Sequence, residues 1–243
     1  MIFLRSLAFN LAFYIWTTAN MLLALPIVFF TPRVFIIRWM ALWARGVFAL
    51  MRWLAGITVE IRGRDHLPEG ACIVAAKHQS AWDTLAFHVA VPDPAMVMKQ
   101  ELMWIPIYGA YSRRAGMIPV NRSGGAAALR AMLKSARAAR DLGRQIVIFP
   151  QGTRVSADAA GAEIPYQAGV AALYRDLAVP VVPVAVNSGR HWPRRRFVRP
   201  PGKIILEFLE PLPSGLDREA FLSSLRVAIE PATLRLLAEA GAE

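Results

Sequence analysis

The chain has 243 residues, of which 56% are hydrophobic, and its formal net charge of +11 comes from 28 basic and 17 acidic residues. This length accommodates one ordinary domain with a full core and an additional segment. The single cysteine, Cys72, lies in an apolar run, excludes a disulfide framework within the chain and fits a reducing compartment. Most of the basic residues are arginine, so the composition favours an anionic partner: nucleic acid, a phospholipid surface or a phosphorylated substrate.

The first segment, from Ser6 to Pro32, contains no charged residue and is long enough to cross a membrane. A signal peptide fits less well, because the apolar run is too long and no small-x-small cleavage site follows it. Pro26 predicts a kink in this helix. The segment therefore either spans the bilayer or forms, with the next helix, a hairpin in one leaflet.

The second segment, from Val34 to Ala55, contains Arg38, Arg45 and Arg52, which recur every seven residues and therefore form one stripe along a helix. Tryptophan and other large apolar residues surround the stripe, which is typical of an interfacial helix whose guanidinium groups reach lipid phosphates. The alternative is a second core helix whose arginines extend to the surface. We expect residues 1–55 to be membrane-associated helices.

From residue 56 onward the pattern is that of an α/β domain, which we expect to span residues 56–243. Short apolar runs predict strands at Thr58–Ile61, Ala71–Ala76, Ala95–Met98, Gln145–Phe149, Val179–Val186 and Lys203–Leu209. Helical patterns cover Ala81–Val91, Gly125–Leu142 and Arg218 to about Ala240. Strands that alternate with helices indicate an α/β fold with a largely parallel or mixed sheet covered by helices on both faces.

His78 and Asp83 lie five positions apart, directly after the second predicted strand. Five residues turn through about 500° on a straight helix, so the two side chains can meet only if His78 lies in the loop and the helix begins after it. Ser80 is a good N-cap at that point and places Asp83 in the first turn. A histidine whose ring is held by a carboxylate can remove a proton from an alcohol, so this is the candidate catalytic pair.

Two other interpretations of this region stay open. Ser80 and Asp83 have the spacing of a capping box, in which case Asp83 serves only the helix N-terminus. A second histidine, His88, also has an aspartate five residues on, Asp93. That pair has a poorer context, because His88 falls late in the predicted helix and Asp93 lies in a turn between two prolines.

Three further segments end predicted strands, the position at which α/β sheets usually carry their sites. Gly116–Arg122 is a short strand that ends in an arginine. Phe149–Arg154 joins a buried strand to a glycine, a hydroxyl and a guanidinium. In Val179–Val184, prolines bracket a strand and fix its edge. Each segment is also compatible with a purely structural role, but together they predict an anion site facing His78.

The segment His78–Asp83 and these three segments, in this order along the chain, resemble the four motifs of the glycerolipid acyltransferase family. The resemblance is closest to its bacterial 1-acyl-sn-glycerol-3-phosphate acyltransferases. The resemblance continues in residues 99–106, 187–189 and 208–212 and so covers nearly the whole chain. It includes the two N-terminal helices. Any one motif is weakly specific, whereas four in order form a specific pattern.

The resemblance implies a role for each matched residue. His78 and Asp83 are implied as the catalytic pair. The residues implied in binding the substrate phosphate are Lys99, Arg122, Gly152, Thr153 and Arg154. Those implied in the acyl or acceptor environment are Gln151 and Pro183.

The chain departs from the family pattern at two positions. Gln151 stands where the third motif usually has glutamate, which removes a negative charge beside the phosphate site and adds a hydrogen-bond donor. The segment Tyr166–Gly169 lacks the lysine that family members often place before this glycine. Both departures concern the expected phosphate site, and so the identity of the acceptor, and not the catalytic pair.

The resemblance implies transfer of a fatty acyl group from a thioester donor to the sn-2 hydroxyl of 1-acyl-sn-glycerol-3-phosphate, forming phosphatidic acid. The expected partners are the membrane phospholipid surface, the lysophospholipid acceptor and either acyl-CoA or acyl carrier protein as donor. No cofactor, metal or nucleic acid is expected. The implied location is the bacterial inner membrane, with the active site on the cytoplasmic side.

Other function classes are compatible with parts of the sequence. The alternatives are an acyltransferase for another lyso-lipid, such as a lyso-aminolipid, and a non-catalytic membrane adaptor with the same fold. A serine hydrolase is disfavoured because the chain has no G-x-S-x-G elbow. The arginines of residues 194–199 offer docking to an acidic carrier protein, to coenzyme A phosphates or to lipid headgroups.

Overall fold

The computed structural model describes residues 1–159 and 164–242, which form nine α-helices and seven β-strands. The helices are α1 (Ile2–Leu23), α2 (Leu25–Phe30), α3 (Arg33–Leu50), α4 (Trp82–Ala90), α5 (Tyr108–Arg114), α6 (Gly125–Asp141), α7 (Ala168–Leu177), α8 (Ser188–His191) and α9 (Arg218–Ala242). The strands are β1 (Ile57–Arg62), β2 (Cys72–Ala76), β3 (Pro94–Lys99), β4 (Ile118–Val120), β5 (Gln145–Ile148), β6 (Val181–Val186) and β7 (Gly202–Phe208).

The strands form one mixed sheet in the order β1-β7-β6-β2-β5-β3-β4. The strands β6, β2, β5, β3 and β4 run parallel, whereas β7 is antiparallel to β6 and parallel to β1. The carboxyl ends of the five parallel strands therefore meet at one edge of the sheet, here called the carboxyl edge. The predicted α/β fold with a largely parallel or mixed sheet is confirmed, and ligands bind at this edge in open α/β sheets.

Helices cover both faces of the sheet. Residues at alternate positions of the strands belong to different hydrophobic clusters. One face of the sheet packs against α1, α3 and α4, and the other packs against α6, α7 and α9. In β2, for example, Val74 lies on the first face, here called the α3 face, and Ala75 lies on the second, the α6 face. Burial on both faces explains why the central strands are continuous apolar runs.

Pro183 lies in an interior strand and not at an edge of the sheet. Its strand, β6, pairs with β2 on one side and with β7 on the other. The Pro183 carbonyl accepts the Leu209 N–H at 2.9 Å, just beyond the end of β7. The expectation that prolines fix an edge here is therefore wrong. Proline is tolerated because its missing N–H faces the point at which the ladder with β7 ends.

The N-terminal helices contact each other through two tryptophans. Trp16 Nε1 donates to the Trp43 carbonyl at 3.0 Å, and Trp43 Nε1 donates to Thr17 Oγ1 at 3.2 Å. Gly46 allows this approach, because a Cβ at that position would lie 2.3 Å from the Trp16 ring. The two helices are thus joined by partly buried polar contacts as well as by apolar packing.

Two helical segments, Ile2–Phe30 and Arg33–Ala55, are long and apolar enough to cross a membrane. Only 18% and 28% of their most apolar windows are buried, so most of these side chains face outward and not into a protein core. The first segment is interrupted at Ala24, next to Pro26, where the sequence predicts a kink. Outward-facing apolar helices of this kind favour membrane association.

The arginine stripe lies on the outer side of its helix. Arg38, Arg45 and Arg52 are exposed, whereas Ala44 and Val47 are buried. This arrangement fits an interfacial helix better than a core helix, since the cations lie on the side that is away from the protein.

The patterns in the sequence do not predict α5 and α7. In α7 the buried residues Val170, Ala171, Leu173 and Leu177 fall on one helical face, so a signal is present over this short span. The N-terminal helices and the sheet share one hydrophobic cluster. The division of the chain into domains 1–55 and 56–243 therefore stays a prediction.

Candidate active site

His78 lies in the loop after β2, at the carboxyl edge, and α4 begins four residues later. Nδ1 of His78 lies 2.9 Å from Oδ2 of Asp83, which is in the first turn of α4. The two side chains meet as the five-residue spacing predicts, because the histidine precedes the helix and the aspartate lies in its first turn. The Asp83 side chain is fully buried, whereas that of His78 is 13% exposed.

The Asp83 carboxylate accepts hydrogen bonds on both of its oxygens. Besides His78, Oδ2 accepts the backbone N–H of Gln79 at 2.7 Å and that of Ser80 at 2.9 Å. Oδ1 accepts the hydroxyl of Ser188. Because backbone N–H groups only donate, Oδ2 is an acceptor and Nδ1 of His78 carries the proton. In the neutral imidazole, Nε2 is then the nitrogen that can accept a proton.

Asp83 also caps α4. Oγ of Ser80 accepts the Trp82 N–H at 3.1 Å, and the Asp83 carboxylate accepts the Ser80 N–H in return. This reciprocal pattern is close to a capping box. The structural and functional interpretations of Asp83 are therefore compatible, because one carboxylate fixes both the helix start and the histidine ring.

An aromatic ring holds one face of the imidazole. Phe149, directly after β5, stacks on His78 with ring centroids 4.0 Å apart and an interplanar angle of 21°. Phe87 of α4 lies against Phe149, with centroids 6.1 Å apart. The His78 carbonyl accepts the Val155 N–H at 2.8 Å, which ties the loop after β5 to the His78 loop. The imidazole is thus fixed on several sides while part of it stays open.

His88 and Asp93 do not form a second pair. Both carboxylate oxygens of Asp93 accept Arg33 at 2.7 Å, and Arg144 Nε donates to the same carboxylate at 3.0 Å. His88 is buried, and its Nδ1 has no partner in the described part of the chain. Burial lowers the pKa of His88 to about 4, so at neutral pH this imidazole is an uncharged and weak base.

Ser188 and Gln79 belong to the site, although the motif spacing assigns them no role. Ser188 opens α8 directly after β6 and donates to Asp83. Oε1 of Gln79 accepts the Gly189 N–H at 2.9 Å. These bonds join the loops at the ends of the neighbouring strands β2 and β6. The sequence contains one indication of this role: residues 187–189 directly follow a predicted strand.

Lys99 and Arg122 lie at the other end of the carboxyl edge: Lys99 ends β3, and Arg122 follows the paired strand β4 by two residues. Lys99 Nζ lies 3.0 Å from a Glu101 carboxylate oxygen. A backbone hydrogen bond, Lys99 and the charge of Arg122 together lower the pKa of Glu101, so the three groups are close. At about 4.8 Å per strand, β3 and β4 lie roughly 10 and 14 Å from β2. The two cations are therefore neighbours but do not contact His78.

Gly152, Thr153 and Arg154 lie between these two ends, because β5 stands between β2 and β3. Gly152 has φ of +66°, which glycine adopts freely, and a Cβ there would lie 3.2 Å from Gln167 Cγ. Thr153 and Arg154 are exposed. The loop after β5 thus presents a hydroxyl and a guanidinium between the His78 loop and the basic end.

The two residues implied in the acyl or acceptor environment are placed differently. Gln151 is 3% exposed, and neither atom of its amide group has a hydrogen-bond partner in the described part of the chain. Buried amides are normally satisfied, so Gln151 departs from the usual pattern. Pro183 is flanked in its strand by Val181 and Ala185, which lie on the α6 face. The structure therefore does not place Pro183 beside His78, whose stacking partner Phe149 lies on the α3 face.

Lys77 precedes His78 and is buried on the opposite face of the sheet. Its Nζ donates to Oε2 of Glu230 in α9 at 2.6 Å, and the Tyr166 hydroxyl donates to Oε1 of the same carboxylate at 2.8 Å. Burial and the charge of Glu230 raise the pKa of Tyr166, so this phenol stays a donor. The network ties the end of β2 to the last helix.

The carboxyl edge therefore combines a histidine that can accept a proton with a basic region that can bind an anion. No group of three His, Cys, Asp or Glu side chains in residues 1–159 and 164–242 fits a metal ion. The histidine and the basic region together suit proton transfer from a hydroxyl group on an anionic molecule.

Comparisons with known proteins agree on one family. The family model described as Acyltransferase matches residues 58–187. The 1-acyl-sn-glycerol-3-phosphate acyltransferase of Pseudomonas aeruginosa is 32% identical over 192 residues, which cover 79% of this chain and 72% of that protein. Proteins of the same name from Limnanthes alba and, as the alpha form, from Mus musculus are 31% and 30% identical. The matched region spans 57% of the length of each of these two proteins, less than two thirds.

A solved structure has the same fold. The crystal structure of the 1-acyl-sn-glycerophosphate acyltransferase of Thermotoga maritima aligns with a TM-score of 0.80 and covers 97% of this chain and 98% of that chain. The sequence identity is 22%, so this likeness concerns the fold, including the N-terminal helices that precede the sheet.

Proposed function

Because this chain belongs to the acyltransferase family, we propose that it transfers an acyl group from a thioester donor to the free hydroxyl of lysophosphatidic acid, forming phosphatidic acid. The observation that carries the proposal is the His78–Asp83 pair at the carboxyl edge, in a chain whose relatives are named for this reaction. The outward-facing apolar helices add support, since a lysophospholipid acceptor lies in a membrane.

In the proposed reaction, Nε2 of His78 removes the proton of the acceptor hydroxyl while Nδ1 donates to Asp83. The acceptor oxygen attacks the thioester carbonyl carbon, the carbon–sulfur bond breaks, and the imidazolium returns the proton to the departing thiolate. General-base assistance of this kind contributes about 10²–10⁴-fold to the rate. Asp83 holds the ring tautomer and stabilises the imidazolium, as the acid of a catalytic triad does.

The acceptor phosphate is assigned to the basic region of the carboxyl edge. Lys99, Arg122 and Arg154 provide the positive charge, Gly152 allows close approach of the backbone, and Thr153 offers a hydroxyl. In this arrangement the acceptor lies along the edge, with its phosphate toward β3 and β4 and its hydroxyl at β2.

The site is further assigned to the cytoplasmic side of a bacterial inner membrane. Two features support this location: the basic residues that follow the apolar N-terminus, and the free Cys72. The test of this location is whether a protease cleaves residues 56–243 in inverted or in right-side-out membrane vesicles.

Acyl transfer by the detergent-purified protein is the test of the proposed function. We expect phosphatidic acid from lysophosphatidic acid and acyl-CoA or acyl carrier protein thioester, detected by mass spectrometry. A lyso-aminolipid serves as the second acceptor, because Gln151 and its unpartnered amide replace the usual glutamate of the family. Transfer to the aminolipid alone would change the acceptor but keep the chemistry. A folded protein that is inactive with both donors and both acceptors would favour the adaptor.

Ser188→Ala is expected to lower kcat about tenfold and to leave KM nearly unchanged. The substitution removes one hydrogen bond to the ionised Asp83, and such bonds contribute about 1.5 kcal/mol or more. Ser188 is thus a positioning residue that acts through Asp83. Initial rates over a range of acceptor concentrations separate kcat from KM, and a rise in KM at constant kcat would contradict this role.

A further inference from the structure

The loop of residues 192–199, which follows α8, is fastened to the first helix. Nδ2 of Asn10 donates to the Phe197 carbonyl at 3.0 Å, and Oγ of Ser6 accepts the Arg199 backbone N–H at 2.9 Å. Both contacts bind the backbone of the loop, so the loop takes the same position relative to a membrane as the first half of α1.

The outer side of this junction is apolar. The rings of Phe3 and Phe197 lie 5.4 Å apart and are 59% and 44% exposed. Leu4 and Leu7 continue the surface along α1, and Val198 extends it in the loop; all three are more than a third exposed. A contiguous apolar surface that adjoins an outward-facing apolar helix is one that a bilayer can cover.

Three arginines, Arg194, Arg195 and Arg196, precede this apolar surface and are exposed. Within residues 1–159 and 164–242, no carboxylate lies within salt-bridge distance of any of them. Arg195 has φ of +59°, a left-handed conformation that residues with a side chain rarely adopt, so the backbone is strained at the centre of the run. Consecutive guanidinium groups that have no carboxylate partner among the described residues suit an anionic surface.

The loop is also connected to the catalytic site. Arg194 Nη1 donates to the Arg154 carbonyl at 3.1 Å, in the loop after β5. At its N-terminal end the loop continues α8, whose first residue, Ser188, donates to Asp83. The arginines therefore lie beside the carboxyl edge.

We propose that residues 193–198 form a second membrane contact, in which Phe197 enters the apolar boundary beside Phe3 and the three arginines bind anionic lipid phosphates. This contact turns the carboxyl edge toward the membrane surface. It depends on the membrane position of α1 and not on the proposed acyl transfer. A soluble acidic protein or coenzyme A would use the arginines alone, whereas the adjoining exposed Phe197 and Val198 favour the bilayer.

A fluorophore at Phe197→Cys tests the contact in the full chain, reconstituted into nanodiscs that contain lipids with a headgroup-level quencher. Labelling is selective, because Cys72 is buried and burial raises the pKa of its thiol to about 12. We expect stronger quenching at position 197 than at Ala131→Cys, an exposed position of α6 on the other face of the sheet. Adding anionic phospholipid should increase quenching at position 197 only.

Changing Arg194, Arg195 and Arg196 to glutamine in the labelled protein should remove the dependence on anionic lipid. With an electrostatic contribution of about fivefold per arginine, the equilibrium constant for loop insertion should fall by roughly 10²-fold. The charge-matched control changes three exposed cations of the opposite helices and should have no effect: Lys134→Gln, Arg175→Gln and Arg218→Gln.

Three results would overturn the proposal. The first is quenching at position 197 no stronger than at the α6 position. The second is quenching that is insensitive both to anionic lipid and to the arginine substitutions. The third is an unquenched label whose environment changes on addition of acidic acyl carrier protein or of coenzyme A, which would assign the arginines to the acyl donor.

Discussion

His78→Ala is expected to lower kcat/KM for acyl transfer by about 10²–10⁴-fold, because it removes the group that takes the proton from the acceptor in the proposed reaction. Most of this effect should appear in kcat, since His78 acts on the reacting hydroxyl and not on the phosphate. The variant should fold, because Asp83 keeps its hydrogen bonds from Gln79, Ser80 and Ser188. Rates of phosphatidic acid formation, together with thermal unfolding in detergent, measure both properties.

The matched control is His88→Leu. His88 is the other histidine with an aspartate five residues on, but it is buried, it has no contact with Asp93, and its pKa is about 4. Leucine has a comparable volume and removes an imidazole nitrogen that lacks a partner in the described part of the chain. We expect activity within a few-fold of the unmodified protein. Equal loss in both variants, or full activity of His78→Ala, would show that the pair is wrongly assigned.

The contact between His78 and Asp83 was predictable from the sequence because it is local. A strand end, a capping serine and a spacing of five residues are enough to bring the two side chains together. The spacing alone also fits His88 and Asp93, whose sequence context is poorer, and the structure shows that these two side chains do not pair. Asp93 is occupied instead by Arg33 and Arg144, which come from distant parts of the chain.

The role of Ser188 was not predictable, because it depends on the order of the strands. The Ser188 and Asp83 side chains are 105 residues apart in the chain and meet because β6 and β2 are neighbours. The motifs indicate that several strand ends carry polar groups, but not which strands are adjacent. Pro183 shows the same limit: the sequence associates it with the site, whereas the alternation of β6 directs it to the α6 face.

Buried charge is also hidden from sequence patterns. A lysine beside a candidate catalytic histidine is normally expected in solvent or at a substrate phosphate. In the structure, the Lys77 side chain is 1% exposed and is paired with Glu230, 153 residues later. Strand alternation explains the direction of this side chain, because Ile73 and Ala75, at alternate positions before Lys77, lie on the α6 face. The partner cannot be inferred without the position of α9.

Lys77→Met is expected to lower the free energy of unfolding by about 3 kcal/mol and the midpoint of thermal unfolding by roughly 10 °C. The substitution leaves the Glu230 carboxylate, whose side chain is 17% exposed, with Tyr166 as its one remaining donor among the described residues. The control is Arg140→Met, which breaks an exposed pair with Asp141 and should change stability by less than about 0.5 kcal/mol.

A double-mutant cycle separates the ion pair from the loss of packing. In a Tyr166→Phe background, Lys77→Met and Glu230→Leu should each destabilise the protein, whereas the double variant should recover about 2 kcal/mol or more relative to their sum. The recovery is expected because each single change leaves one buried charge unpaired, and the double change leaves none. Additive effects would mean that the two groups contribute through packing alone. In that case Lys77 would fix the end of β2, and with it His78, through van der Waals packing and not through its ion pair with Glu230.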